Sequence, residues 1–329
     1  MKFRLSLVAP ALVVGIAVMC NSYGAEGKPP VTAPKPVTLS VLNNPAGTLP
    51  IIAQQKGFFD EEGLNVKLNR ARNAPIALDA LLSKEANFAT VPPIDIARQG
   101  LDGNQDLRVI ATIFAAADSA IVARRSAGIS QPKDLQGKRL GVRVGSLSEF
   151  FAEKFLAKHG LSRQDVQIQD VSGPAMLTAL PQKEVDAISV WQPLVFNISR
   201  ALGPEEAIVF GDTTQRGTIN IAGSSAWLGD HQEESRALLR ALRKAEQFVR
   251  SHPTEAQTII AEQIGLDPET LKIVWGGTDF RLSLDAENLT REIAEQGIWL
   301  TQTQEAQKGK AVPDYRTFID SKPFQSMGR

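Results

Sequence analysis

The sequence predicts an α/β protein made of two similar lobes, with a cleft between them and a helical C-terminal region. Three observations carry this reading. From Val37 onward, short β-branched runs alternate with amphipathic helical stretches, the pattern of βαβ units around a mostly parallel sheet. One stretch is then written twice: residues 77–90 (ALDALLSKEANFAT) and 176–189 (MLTALPQKEVDAIS) align at a constant offset of 99. After Ile219-Asn220-Ile221-Ala222 the pattern turns mainly helical, and 329 residues are more than one hydrophobic core usually fills.

In order along the chain, Val37 to Leu42 (VTLSVL) reads as a strand and Leu49 to Asp60 as a helix. Gly63-Leu64 turns into a strand over Asn65 to Asn69, followed by a helix over Ala74 to Ser83 and a short strand over Phe88 to Thr90. Leu107 to Phe114 (LRVIATIF) is long and apolar enough for the middle of a sheet. The second lobe has strands at Ala120 to Ala123, Leu140 to Val144, Val166 to Val171 and Ala187 to Val190. Helices at Gln232 to Arg250, Pro253 to Ile264, Pro268 to Gly276 and Ala286 to Gln304 then pad the first lobe. Lobe 1 is therefore drawn as residues 37–118 plus 221–329, and lobe 2 as 119–220. The chain crosses between them near Ala117–Ser119 and again near Thr218–Ile221. Two crossings make a hinge and leave a cleft for a small ligand.

The first residues obey a different logic. Lys2 and Arg4 precede an apolar run from Leu5 to Met19, and small or polar residues follow at Asn21, Ser22, Gly24 and Ala25. That order describes an export signal over residues 1–25, too short for a membrane span, and places the mature chain in the periplasm. Cys20, the one cysteine, lacks the Leu three before it and the small residue just before it that lipid attachment favours. Residues 26–36, containing GKPPVTAPKP, form a Pro-rich tether with too little apolar surface to fold.

Composition narrows function by exclusion. The 36 basic and 36 acidic residues cancel, so no positive field exists to draw in nucleic acid. The sequence holds no Cys-X-X-Cys, no His-Glu-X-X-His and no Gly-X-Ser-X-Gly, and Gly137-Lys138-Arg139 lacks the remaining residues of a phosphate-binding loop. His159, His231 and His252 stand apart among charged neighbours, as surface residues do. Neither metal nor cofactor is expected, and no nucleophile–base pair is visible.

What remains points to binding at strand ends. In Leu140 to Glu149 (LGVRVGSLSE) a strand stops, Gly145 permits a tight turn, and a helix begins. Its free N–H groups and dipole favour an anion at Gly145, Ser146, Leu147 and Ser148. Ser146 and Glu149 also have capping-box spacing, which uses some of those N–H groups and leaves others. In lobe 1 the corresponding turn is Asn43-Asn44-Pro45-Ala46-Gly47-Thr48; its Asn43, Asn44, Gly47 and Thr48 are candidates, and equally ordinary turn formers. Thr90 and Pro92, Ser119, and Gly173 with Pro174 mark further strand ends. Trp191-Gln192 follows a strand where an indole can cover an organic ligand, or simply fill a core.

These pieces resemble the nitrate/sulfonate/taurine-type solute-binding proteins of ABC transporters, a family that also binds thiamine pyrimidine precursors. The resemblance runs from about Val37 to Ile319. It rests on Gly57-Phe58-Phe59-Asp60-Glu61-Glu62-Gly63-Leu64, on Asp134 to Val142 (DLQGKRLGV), on Gly145-Ser146 and Gly160-Leu161, and on Val185-Asp186-Ala187 leading into Trp191-Gln192-Pro193. It implies a type II periplasmic-binding-protein fold, a monomer closing on a small organic anion, and a permease with its ATPase as partners. The family usually has Glu at the position of Gln192; the change removes a negative charge and eases anion binding. Eukaryotic pyrimidine synthases on this fold use a cysteine-rich segment that this chain lacks. A module that senses the ligand, and nitrate or a pyrimidine precursor as that ligand, are the alternatives.

Overall fold

The computed structural model describes residues 35–328. The segment expected as an export signal, Cys20 and all but two residues of the expected tether lie outside the described residues. The chain first lays down β1 (Lys35–Leu42), β2 (Leu64–Ala71), β3 (Phe88–Val91) and β4 (Leu107–Ala116). It then crosses and builds β5 (Ser119–Arg124), β6 (Arg139–Val142), β7 (Gln167–Asp170), β8 (Ala187–Trp191) and β9 (Ala207–Gly211). It returns with β10 (Gly217–Ser224) and a two-residue β11 (Thr278–Asp279). The larger sheet has the order β11-β4-β10-β3-β1-β2 and the smaller one β7-β6-β8-β5-β9.

The two sheets share a plan. In each, three parallel strands (β2-β1-β3 and β7-β6-β8) are continued by an antiparallel one, β10 or β5. The repeat at offset 99 is visible down to single bonds. Lys84 and Lys183, paired by that offset, are the non-glycine residues with positive φ among those described, at 62° and 63°. Three residues on, Asn87 and Asp186 each bracket a residue of the middle strand of the parallel three, β1 or β6. Asn87 N donates to Thr38 O (2.8 Å) and its Oδ1 accepts from Thr38 N (2.7 Å). Asp186 N donates to Arg139 O (2.9 Å) and its Oδ2 accepts from Arg139 N (3.1 Å).

The aspartate adds charge to that bracket. Asp186 Oδ1 also pairs with Arg124 Nη2 at 3.0 Å and Arg139 Nη2 at 2.8 Å, and Arg139 above all holds its carboxyl below the usual carboxylate range. Arg124 is 5% exposed, so it depends on this partner. Asp186→Ala is expected to cost about 2–3 kcal/mol, and Asn87→Ala about 1 kcal/mol, because only the former strands a buried cation. Urea unfolding of both variants checks this; equal losses would mean that the ion pair adds nothing.

Local chemistry moves several boundaries. β1 begins at Lys35, two residues inside the tether as read from sequence; Pro36 is tolerated because β3 pairs with β1 only at Leu39 and Ser40. The helix expected over Leu49 to Asp60 is two, α1 (Thr48–Gln55) and α2 (Phe58–Glu61), because Gly57 turns left-handed at φ 72° between them. The return strand belongs to the larger sheet from Gly217, pairing Gly217 with Ala116, so the second crossing falls at residues 212–216. Helices α3 (Ala74–Leu82), α4 (Pro93–Leu101), α5 (Leu147–Lys158), α6 (Ala175–Thr178), α7 (Leu194–Leu202) and α8 (Ser225–Asp230) connect the strands. The C-terminal α9 (Gln232–Ser251), α10 (Pro253–Ile264), α11 (Pro268–Gly276) and α12 (Ala286–Thr303) cover the larger sheet. Leu238 and Leu242 of α9 share a core with Ile51 and Ile52, while Ile293 and Leu300 of α12 share another with Ile96 and Leu101.

Candidate functional site

A cavity of about 390 Å³ lies where the ends of both sheets meet. Lobe 1 supplies Asn44, Pro92, Asp95, Arg98 and Phe114; lobe 2 supplies Arg143 through Leu147 and the Trp191-Gln192 step. Of the residues singled out in the sequence, Asn44, Pro92, Ser119, Gly145, Ser146, Leu147, Trp191 and Gln192 line it.

The others stand off it and do framework work. Asn43 is exposed, and its N–H closes onto Ala71 O at 2.8 Å. Gly47 is a close-approach residue, since a Cβ there would lie 2.2 Å from Leu42 O. Thr48 Oγ1 donates to Pro45 O (2.7 Å), and Thr90 Oγ1 accepts from Leu42 N (2.9 Å); both threonines are fully buried. Ser148 and Ser189 exchange bonds, each hydroxyl donating to the other's carbonyl. Gly173 and Pro174 follow β7, the edge strand of the smaller sheet, and are exposed.

The loop before α5 is more occupied than its sequence implies. Ser146 does cap the helix, its Oγ accepting from Ser148 N at 3.2 Å. Glu149 does not close the box on Ser146. The left-handed turn at Gly145 (φ 71°) presents that residue's own amide, which donates to Glu149 Oε2 at 2.7 Å. Ser146 N also donates to Arg143 O at 3.2 Å, so three of the amides offered by the sequence are taken by the protein itself. Positive charge reaches the cavity on side chains instead: Arg72 at its rim, and half-buried Arg98 and Arg143.

These two inner arginines differ. Arg98, on α4, donates through Nη2 to Gly145 O and so ties lobe 1 to lobe 2. The side chain of Arg143 makes no hydrogen bond or ion pair among the described residues. Its charge nevertheless acts on Asp95, whose carboxyl burial pushes up to about 6 against the opposing pull of Arg98 and Arg143. Asp118, in the first crossing, is also pushed up to about 6 by burial, and no charged group offsets it. Gln192 follows Trp191, which pairs with Ser119 across β8 and β5. Its Oε1 accepts from Phe196 N at 3.2 Å, so its two N–H donors are what it has left to offer. The Gln192–Pro193 peptide bond is cis.

Sequence reasoning missed Arg72, Arg98, Arg143, Asp95 and Asp118. Arg143 had a legible signal, a cation two residues before Gly145 where a strand end is otherwise apolar. A further set of contacts joins the lobes beside the cavity. Gln304 Nε2 donates to Glu149 Oε2 (3.1 Å), Trp299 Nε1 donates to Glu153 Oε2 (2.8 Å), and the Phe150 and Trp299 rings meet edge to face at 5.4 Å. Lys154 pairs with Glu295 at 2.6 Å. No cluster of metal-ligating side chains occurs among the described residues, and no helix there is long and apolar enough to cross a membrane.

Paired α/β lobes that face a cavity at their strand ends, with helices covering the larger sheet, define the periplasmic-binding-protein fold. The chain belongs to the NMT1/THI5-like family, whose model matches residues 44–256. It is 23% identical over 270 residues to a protein of Brucella abortus (strain 2308) named as a binding protein, covering 81% of this chain and 83% of that one. It is 23% identical over 323 residues to a protein of Bacillus subtilis (strain 168) named for aliphatic sulfonates, covering 95% of each. Among solved structures, the periplasmic aliphatic sulphonate binding protein SsuA of Escherichia coli superposes with a TM-score of 0.76 at 16% identity, over 87% of this chain and 97% of that one. A mutant of the desulfurization enzyme DSZB in complex with biphenyl-2-sulfinic acid superposes with a TM-score of 0.69 at 16% identity, over 89% and 99%.

Proposed function

We propose that this chain is the exported solute-binding component of an ABC importer, acting as a periplasmic monomer. It captures a small organic anion of the alkanesulfonate type between its lobes and delivers it to a permease driven by its ATPase. The observation that carries this reading is Arg143: a half-buried guanidinium on the cavity wall that no protein group pairs with among the described residues. Such a group is poised for a bidentate bond to a sulfonate or carboxylate. Arg98 and Arg72 reinforce the field, and the donors of Gln192 suit an acceptor-rich head group better than the family's usual glutamate.

The cavity is larger than nitrate requires, and Phe114, Trp191 and Ile219 give it an apolar wall for a carbon skeleton. An enzyme on this fold, as DSZB illustrates, is the second reading. Neither a cysteine nor a histidine lines the cavity among the described residues, which favours capture over turnover.

A thermal-shift panel of alkanesulfonates, nitrate and pyrimidines tests the proposal. A ligand at a hundred times its Kd stabilises the protein by about 2.7 kcal/mol, a readily measured shift in Tm. Stabilisation by sulfonates is the expected result. A response confined to uncharged pyrimidines would overturn the anion assignment, and consumption of the bound compound would overturn the assignment as a carrier.

A further inference from the structure

A second cavity, of about 660 Å³, adjoins the first, and Ser119, Leu147, Gly217 and Thr218 line both. Its walls come from α5 of lobe 2, α12 of lobe 1 and the second crossing. Beside it the two helices grip each other. Leu147 and Phe150 pack against the core that holds Ile293 and Leu300, Trp299 reaches Glu153, and Lys154 pairs with Glu295 at 2.6 Å. One group in this grip has no ionic partner among the described residues. Glu292 lies one helical turn before Glu295, and its carboxyl bonds neutral groups: Oε2 accepts from Thr218 Oγ1 at 3.1 Å and Oε1 from Gln296 Nε2 at 3.4 Å.

The other charged groups around this crevice are engaged. Lys154 holds Glu295, Arg216 donates to Ala115 O, Arg291 donates to Asn288 Oδ1, and Asp285 caps α12 by accepting from Asn288 N. α12 thus brings two glutamates to a crevice into which α5 brings one lysine. A carboxylate shut between packed elements beside a like charge is costly, and a proton removes that cost. We propose that the α5–α12 face is a proton-operated clasp: Glu292 takes up a proton as the lobes pack there, which holds them together, and losing it lets them part. Leu147 lines both cavities, so parting moves a wall of the capture site. The clasp works whatever solute is captured.

Burial pushes the Glu292 carboxyl up to about 7; Glu295 pushes the same way and Lys154 opposes. When α5 moves off α12, water reaches the crevice and the carboxyl returns towards its ordinary value of 4.5. The packed state therefore holds the proton more tightly than the parted one. Packing gains as pH falls below about 7, and the gain is gone above it. Asp95 and Asp118, both pushed up to about 6, line the capture cavity and not this crevice, so a variant at Glu292 leaves them unchanged.

Spin labels on Ala157→Cys of α5 and Ile298→Cys of α12, both exposed positions, measure the gap by pulsed electron resonance in the ligand-free chain carrying Cys20→Ser. The ratio of a longer to a shorter distance should rise about tenfold or more between about pH 5.5 and about pH 8, as one proton released over more than a pH unit requires. In Glu292→Gln, neutral at every pH, the ratio should stay near its acid value. An unchanged ratio in the wild type, or the wild-type response persisting in Glu292→Gln, overturns the proposal. Should that variant not fold, Thr218→Val decides, since it removes a donor that favours the ionised carboxyl. The pH at which the ratio levels off should then move up by about half a unit, and an unmoved plateau overturns the clasp.

Discussion

Replacing Glu149 with alanine is expected to cost about 3–5 kcal/mol of folding stability, the largest single loss expected outside the hydrophobic cores. The side chain is fully buried, and its two oxygens serve three donors. Oε2 accepts from Gly145 N at 2.7 Å and from Gln304 Nε2 at 3.1 Å, and Oε1 pairs with Arg163. Arg163 keeps a second partner, Glu153 Oε1 at 2.7 Å, and is partly exposed, so it is not the main loser. The amides of Gly145 and Gln304 are: one holds the loop before α5 and the other joins the end of α12 to lobe 2. Glu149→Gln retains one acceptor and should lose about half as much, because its amide nitrogen then faces donors. Urea unfolding of the ligand-free proteins measures both. A loss below about 1 kcal/mol for the alanine variant would show that water replaces the carboxylate and that the loop does not depend on it.

That site also shows what the sequence can and cannot say. The plan of two α/β lobes is legible because it is written twice, and the second copy keeps even the Lys-Glu pair whose lysine adopts positive φ. Helices α9 to α12 are legible because each has a long apolar face and clear stops. The second crossing falls earlier than the sequence suggests because Gly217 and Thr218 carry no apolar signal, although they pair with Ala116 and Ala115. Helix starts mislead when they are counted as free donors. Ser146 and Glu149 have the spacing of capping residues, yet which amide Glu149 takes depends on the left-handed turn at Gly145, a long-range result of how the loop packs. Conversely, Arg98 and Asp95 lie on α4, where they read as ordinary polar positions. Only the approach of the second lobe turns them into cavity wall, and no local pattern encodes that approach.

Arg143 is where capture is expected to be most sensitive. Arg143→Met keeps much of the stem and removes the charge and its donors; alkanesulfonate affinity should fall about a hundredfold, equivalent to about 2.7 kcal/mol. Stability of the ligand-free protein should change by less than about 0.5 kcal/mol, since the guanidinium makes no hydrogen bond or ion pair among the described residues and reaches Asp95 only through its charge. Arg98→Met is predicted to behave differently, because it also breaks the tie to Gly145 O and so loosens the lobes as it weakens the field. The nearby acid gives a sharper check. With Arg143 gone, Asp95 loses one of the two cations that favour its ionised form, and at neutral pH it repels the incoming anion. Asp95→Asn should therefore recover part of the affinity lost in Arg143→Met, and lowering the pH should do the same for the single variant by protonating Asp95, whose carboxyl without Arg143 lies above its wild-type value of about 6. Titration calorimetry of the single and double variants reads all three effects. Affinity within about threefold of wild type for Arg143→Met would move the anion away from this arginine and leave Arg98 and Arg72 to hold it.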